Sequence, residues 1–160
     1  MTKRPEFALV PLEELKPHEQ IDERDLPGLV AEIRTRGLLS HPIWVARGSH
    51  AILNGHHRVA ALRRLGAARA PVWLIDYHSE SVRVDRWSPG PSISKEEVEQ
   101  HAREGLLFPP KTTKHVLAHD PGERVTMLAE LMASGGDGGV QSDVPAPSRR
   151  RSGSTRSEAR

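Results

Sequence analysis

The hydrophobic pattern of this chain changes its period at a single glycine. Residues 51–54 form a short apolar run that is typical of a strand, and Gly55 follows it directly. After this glycine the apolar residues recur at helical spacing, as Val59, Leu62 and Leu65. The chain therefore has to combine strands and helices within one small fold.

Short apolar runs and helical periods follow one another along the rest of the chain. The apolar runs predict strands at residues 7–10, 42–46, 51–54, 70–77 and 82–87. Helical spacing and capping residues predict helices at residues 26–36, 56–65, 94–104 and 120–132. The run at 70–77 is expected to be a central strand, whereas 82–87 alternates as an edge strand does. We predict an α+β fold with a small mixed sheet and flanking helices.

The composition excludes several classes of protein. The 160 residues contain no cysteine, which rules out disulfides, thiol catalysis and cysteine-ligated zinc. No apolar run approaches the roughly 18 residues of a membrane span, and no signal-peptide core follows Met1. We expect a soluble, cytoplasmic protein with no membrane partner.

The positive charge of the chain lies at its C-terminal end. The net charge is +2, yet residues 1–134 contain 18 basic and 18 acidic side chains. Residues 135–160 contain no Leu, Ile, Met or aromatic residue, so their burial cannot offset the entropy of ordering. The sequence predicts one domain at 1–134 and a disordered basic tail at 135–160. Because the domain has no basic excess, nucleic acid is not an expected partner; the oligomeric state stays open.

Residues 54–58, with the sequence NGHHR, are a candidate anion site. A strand that ends where a helix begins directs backbone N–H groups and the positive end of the helix at one point. Gly55 lets the backbone approach a phosphate, and His56, His57 or Arg58 can donate hydrogen bonds to its oxygens. The alternative is a helix capped by Asn54 that carries exposed histidines.

A second polar segment, residues 107–115, shows no regular period and is predicted to be a loop. Two prolines stiffen it just before a run of cations and hydroxyls that suits the terminal phosphates of a nucleotide. A polar surface loop is the alternative interpretation. Glu19 lies in another loop, which reaches the same site if the strand and the helix pack as expected; the alternative is a surface glutamate. The histidines are not expected to bind zinc, because His56 and His57 are adjacent and diverge by about 100° on a helix.

Taken together, residues 7–118 resemble the ParB/sulfiredoxin superfamily and, within it, the free serine kinases that make O-phospho-L-serine. The resemblance rests on VPLEELKPHE at 10–19, LNGHHR at 53–58, VDRW at 84–87 and FPPKTTKH at 108–115. The last of these blocks points to the kinases rather than to chromosome-partitioning proteins. Sulfiredoxin activity needs a catalytic cysteine, which this chain lacks.

This resemblance implies a kinase that transfers a phosphoryl group from ATP or ADP, with Mg²⁺, to the hydroxyl of free L-serine or a related hydroxy amino acid. It makes Glu19 the base, and it places Asn54 and His57 with it in the catalytic set. Trp87 would line the amino-acid pocket, and no side chains are assigned to a protein-bound metal. The residues implied to hold the nucleotide are Gly55, His56, Arg58, Lys111, Thr112, Thr113 and His115.

Asn54 departs from the pattern of these kinases, which carry Asp-Gly-His-His-Arg. The amide keeps an acceptor oxygen but loses the negative charge, so it cannot act as a base and is a poorer metal ligand. Three outcomes follow: serine phosphorylation with Glu19 alone as base, a different hydroxyl substrate, or nucleotide binding without turnover. From other classes, the alternatives are a ParB-like nucleotide-binding protein that binds DNA or regulates, and a catalytically silent sensor.

Overall fold

The computed structural model describes residues 3–132 of the chain. Its strands are β1 (Glu6–Pro11), β2 (Leu38–Leu39), β3 (Ile43–Ala46), β4 (Ile52–Asn54), β5 (Arg69–Ile75), β6 (Val82–Arg86), β7 (Thr113–Leu117) and β8 (Thr126–Met127). Its helices are α1 (Leu26–Arg36), α2 (His56–Arg64), α3 (Lys95–Glu104) and α4 (Leu128–Met132). Short 3₁₀ turns occupy Leu12–Glu14 and Glu23–Asp25. None of the helices in this part of the chain is long and apolar enough to cross a membrane.

The main sheet has four strands in the order β1-β5-β3-β4. β5 pairs antiparallel with β1 and parallel with β3, while β3 and β4 form an antiparallel hairpin. The parallel pair requires a crossover, which α2 supplies between β4 and β5. The mixed sheet with a central strand at β5 is therefore confirmed.

Alternate residues of the central strands face two separate cores. Val45 and Val72 pack on one face with α1 and α2, which contribute Ile33 and Leu62 among others. Ile75 and its neighbours on the other face pack with α3 and β6. Burying each such aliphatic side chain contributes about 1.5–3 kcal/mol, so the two faces together hold the helices on the sheet.

The predicted ends of two helices are confirmed by their capping geometry. α1 ends at Gly37, whose φ of 70° is left-handed and whose N–H donates to the carbonyl oxygen of Ile33. At the start of α3, Ser94 accepts from the N–H of Glu97, and the Glu97 carboxylate accepts from the N–H of Ser94.

The prediction that residues 107–115 lack regular structure is partly wrong. β7 begins at Thr113 and pairs antiparallel with β6 in a separate two-stranded sheet, so β6 is not an edge strand of the main sheet. The inward-facing residues of β7 include Thr113 and His115, which are buried although they are polar. This polarity concealed the strand from a hydrophobic pattern.

The predicted helix at 120–132 is also wrong over most of its length. The Asp120 carboxylate accepts from the N–H of Gly122 and so closes a turn rather than capping a helix. The chain then forms β8, which pairs with β2, and only α4 is helical. Residues 133–134 of the predicted domain and the predicted tail at 135–160 lie outside the described residues.

Candidate active site

A cleft of about 330 Å³ opens where the N-terminus of α2 faces the start of β7. It contains nine of the eleven side chains assigned from the sequence, drawn from four separate stretches of the chain. The residues that line it are Glu19, Leu53, Asn54, Gly55, His56, His57, Trp87, Lys111, Thr113, Lys114 and His115.

Gly55 forms the N-cap of α2 with a φ of 111°, a backbone conformation that favours glycine. A Cβ at this position would lie 3.0 Å from Arg58 Nη2 and 3.2 Å from Ile43 Cδ1. No side chain caps the helix, so the interpretation of Asn54 as its cap is wrong. The first N–H groups of α2 are therefore left to bind an acceptor in the cleft.

The two histidines of the first turn hold a neighbouring loop. His56 Nε2 accepts from the N–H of His18 at 3.2 Å, and His57 Nε2 accepts from the N–H of Asp22 at 2.9 Å. Burial, followed by the nearby His115 and His57 rings, lowers the pKa of His56 to about 3. Both rings accept at Nε2, so the alternative of freely exposed histidines does not hold, and both fix the loop that carries Glu19.

Glu19 joins this loop to the second polar segment. Its Oε1 accepts from the N–H of Thr113 at 2.9 Å and from the Thr113 hydroxyl at 2.8 Å, while its Oε2 accepts from the N–H of Lys111 at 2.8 Å. Backbone hydrogen bonds between Gln20 and Phe108 and between Phe108 and His18 tie the same two segments together. The carboxylate is thus fixed at the wall of the cleft, more than 90 residues from its partners in the chain.

The segment that meets Glu19 contains a strained residue. Lys111 has a φ of 58°, in the left-handed region that costs a side-chain-bearing residue about 1–2 kcal/mol. The Thr112 hydroxyl donates to the carbonyl oxygen of Pro109 at 2.6 Å, which closes the turn before β7. Strained residues of this kind cluster at active sites and ligand-binding turns.

Two residues that the sequence assigned to the nucleotide do not line this cleft. The Thr112 hydroxyl is used within its own turn. The Arg58 guanidinium donates to the carbonyl oxygens of His41 and Pro42 and lies 3.5 Å from Asn54 Oδ1. Burial lowers the pKa of Arg58 to about 10. Arg58 instead lines a separate pocket, which also contains Asn54.

Trp87 and Lys114 form the outer wall. The Lys114 ammonium lies 4.6 Å from the centre of the Trp87 ring, within the range of a cation–π interaction. Trp87 is 61% exposed, so its ring offers a face to a ligand as well as to this cation. Lys114 belongs to the run of cations and hydroxyls at 111–115 that the sequence analysis linked to nucleotide phosphates.

A buried polar cluster lies directly behind Glu19. His18 is fully buried, and its Nε2 lies 3.0 Å from the Thr113 hydroxyl oxygen. Nearby, His115 Nε2 lies 2.9 Å from the Tyr77 hydroxyl. Burial is the main reason that the pKa of His18 falls to about 2 and that of His115 to about 4, and it raises the pKa of Tyr77. Sequence reasoning missed His18, which gave no signal beyond its place next to Glu19.

The donors at the cleft fit a metal ion that arrives with phosphates rather than one held by the protein alone. Within residues 3–132, no group of three His, Asp or Glu side chains is arranged to hold a metal. The cleft offers the carboxylate of Glu19 and the amide oxygen of Asn54. Mg²⁺ is commonly held by one or two carboxylates together with substrate phosphates, so one carboxylate and a weaker amide ligand suit a metal ion bound mainly by those phosphates.

The chain is similar in sequence to curated L-serine kinases. The chain is 34% identical over 110 residues to the ADP-dependent L-serine kinase SerK of Thermococcus kodakarensis, an alignment that covers 66% of this chain and 46% of that protein. It is 34% identical over 110 residues to the ATP-dependent L-serine kinase of Staphylothermus marinus, covering 65% and 43%. The chain therefore spans less than half the length of these relatives. No protein-family model matches it.

The solved structure of a free serine kinase variant in complex with AMP has the same fold. It matches with a TM-score of 0.72 at 21% identity, over 81% of this chain and 95% of that one. The ParB/sulfiredoxin-like α+β fold that the sequence predicted is confirmed. The resemblance to the serine kinases is confirmed by the sequence relatives, and the structural match shows the shared fold.

Proposed function

We propose that this chain is a kinase that transfers a phosphoryl group from a nucleotide to the hydroxyl of free L-serine. The observation that carries the proposal is the position of Glu19, whose carboxylate lies in one cleft with the N-terminus of α2 and the Lys111 turn. A base, a helix N-terminus and two lysines in one cleft are what phosphoryl transfer to an alcohol requires.

In the proposed reaction, the serine hydroxyl loses its proton to Glu19 as its oxygen attacks the terminal phosphorus of the nucleotide. The new P–O bond forms as the bond from phosphorus to the bridging oxygen breaks, and AMP leaves from ADP, or ADP from ATP. No covalent enzyme intermediate is needed, because the transition state mainly requires in-line positioning and charge neutralisation.

Different parts of the cleft bind the two substrates in this proposal. The uncapped N–H groups of α2, together with Lys111 and Lys114, neutralise the phosphates, as the helix N-terminus and lysine side chains do in other phosphate sites. Mg²⁺ arriving with the nucleotide phosphates would be held at the cleft by the amide oxygen of Asn54 and would supply further charge neutralisation. The exposed face of Trp87 packs against the amino acid.

Either ADP or ATP is compatible with this cleft as the phosphoryl donor. Curated relatives of equal identity carry an ADP-dependent name in one case and an ATP-dependent name in the other. Both nucleotides are therefore tested as phosphoryl donors.

The test is phosphorus NMR of the purified protein with Mg²⁺ and either ATP or ADP, supplied with L-serine, L-threonine or L-alanine. We expect the phosphomonoester signal of O-phosphoserine, resolved from that of AMP, with L-serine in at least one donor tube. No such product signal should form with L-alanine, which has no hydroxyl. Intact nucleotide in every tube, while nucleotide raises the melting temperature, would contradict a kinase and favour a sensor.

A further inference from the structure

We propose that Thr113 and His18 are positioning residues that hold Oε1 of Glu19, so that Oε2 is the oxygen that takes the substrate proton. This assignment rests on the proposed kinase function. It specifies which atom of the base takes the proton and which side chains orient that base.

The first step is a count of hydrogen bonds on the Glu19 carboxylate. An ionised carboxylate has about four lone-pair sites, two on each oxygen. Oε1 already accepts two hydrogen bonds, from the N–H and the hydroxyl of Thr113. Oε2 accepts one, from the N–H of Lys111. The open acceptor site of Glu19 is therefore on Oε2.

The second step assigns the proton of the Thr113 hydroxyl. This hydroxyl lies 2.8 Å from Glu19 Oε1 and 3.0 Å from His18 Nε2. An ionised carboxylate can only accept, so the single hydroxyl proton points to Glu19. The Thr113 oxygen is then the acceptor for His18, which must carry its proton on Nε2. The backbone carbonyl of Ile52 raises the pKa of the His18 ring, but the other ring nitrogen, Nδ1, makes no well-aligned hydrogen bond within residues 3–132.

The third step is that His18 cannot easily turn away from Thr113. Its ring is fully buried, and its edge-to-face neighbours are the rings of His56, at a centroid distance of 4.7 Å, and His115, at 5.8 Å. Its backbone N–H is held by His56 Nε2. A fixed donor behind Thr113 keeps the hydroxyl directed at Glu19, and so the base is preorganised before substrate arrives.

His18 gives the cleaner kinetic test, because it does not line the cleft whereas Thr113 does. In His18→Leu the ring donor is lost, and we expect kcat to fall by about 10- to 100-fold with little change in the KM for nucleotide. In His18→Gln an amide N–H can replace Nε2–H, and most of kcat should return. A purely structural role would change the melting temperature of both variants without this recovery.

Two substitutions of Thr113, the next residue in the hydrogen-bond chain, form a matched pair of variants. Thr113→Val removes the hydroxyl at nearly constant volume and should lower kcat as His18→Leu does. Thr113→Ser, which restores the hydroxyl, should recover much of the kcat lost in Thr113→Val. Wild-type kcat in both folded Thr113→Val and folded His18→Leu would overturn the proposal.

The tautomer of His18 can be read without turnover, by nitrogen-15 NMR of the imidazole rings with His18→Gln for assignment. We expect a protonated Nε2 and an unprotonated Nδ1 in the wild-type protein. The opposite tautomer would overturn the hydrogen-bond chain even if the enzyme phosphorylates serine. Failure of the kinase assay with the expected tautomer would instead count against the proposed function, and with it against Oε2 as the reacting atom.

Discussion

At the scale of single residues, the charge of the cleft depends on Asn54 and Glu19. Arg58 lies 3.5 Å from the Asn54 amide oxygen, and its guanidinium is held by backbone carbonyls rather than by a carboxylate. An aspartate at position 54, as in the kinases that the chain resembles, would give this half-buried cation a carboxylate partner. Among the residues that line the cleft, Glu19 is the single acidic side chain.

Substituting the family residue tests what this departure does. Asn54→Asp would bring a carboxylate beside Arg58 and a better oxygen ligand for Mg²⁺, so we expect faster serine phosphorylation and slightly greater stability, by about 0.2–1 kcal/mol. Steady-state kinetics with L-serine and urea unfolding measure the two effects, with Asn54→Ala as the control that removes the amide. A more stable variant with no gain in serine turnover would indicate that Asn54 belongs to a different hydroxyl substrate.

At the scale of elements, the site depends on the junction of β4 with α2. This junction and the β3–β4 hairpin were predictable, because a glycine with helical spacing behind it and a turn between two apolar runs are local signals. β7 was not predictable in this way, because Thr113 and His115 fill inward positions that usually hold apolar residues. Strands β2 and β8 have two residues each, which is too short to show a hydrophobic period in the sequence.

Gly55→Ala tests the junction itself. The alanine Cβ would need a left-handed φ and would crowd Arg58 Nη2 and Ile43 Cδ1, so we expect a loss of about 1–3 kcal/mol in the free energy of unfolding and weaker nucleotide binding. Gly48→Ala is a matched control, since its φ is 95° and nothing lies within 4 Å of the added Cβ. Equal losses in the two variants, measured by urea unfolding, would show that the contacts behind Gly55 contribute nothing.

At the scale of the whole molecule, a cluster of neutral histidines joins the segments that form the cleft. His18, His56 and His115 come from a loop, a helix and a strand that are far apart in sequence, and all three have lowered pKa values because they are buried. Their proximity was outside the reach of sequence reasoning, since single histidines in unrelated segments carry no period. The motif resemblance identified the residues that line the cleft. The histidine cluster behind them is visible only in the packed structure.

This cluster predicts how stability depends on pH. In the unfolded chain these histidines titrate near pH 6.5, whereas in the folded protein they stay neutral down to about pH 4. Below pH 6.5 the unfolded state therefore binds protons that the folded state excludes. The free energy of unfolding should be fully retained above pH 6.5 and should fall by about 1.4 kcal/mol per pH unit for each histidine on acidification.

Urea unfolding at about pH 7.5, 6.0 and 5.0 measures this slope. His115→Gln should reduce it by about one third, because one of the three excluded protons is removed. A free energy that stays constant over this range would mean that the histidines are not held neutral by the fold.

The measurement that most directly tests the central claim is the rate of O-phosphoserine formation by the wild-type protein and by Glu19→Gln, followed by phosphorus NMR with Mg²⁺, L-serine and the active donor. Glutamine keeps one acceptor oxygen for Thr113 but cannot take a proton, so turnover should fall by about 10² or more. Nucleotide affinity should change less than about tenfold, because one hydrogen bond, to Lys111, is lost. Turnover that is unchanged in Glu19→Gln would remove this carboxylate from the chemistry and contradict the account.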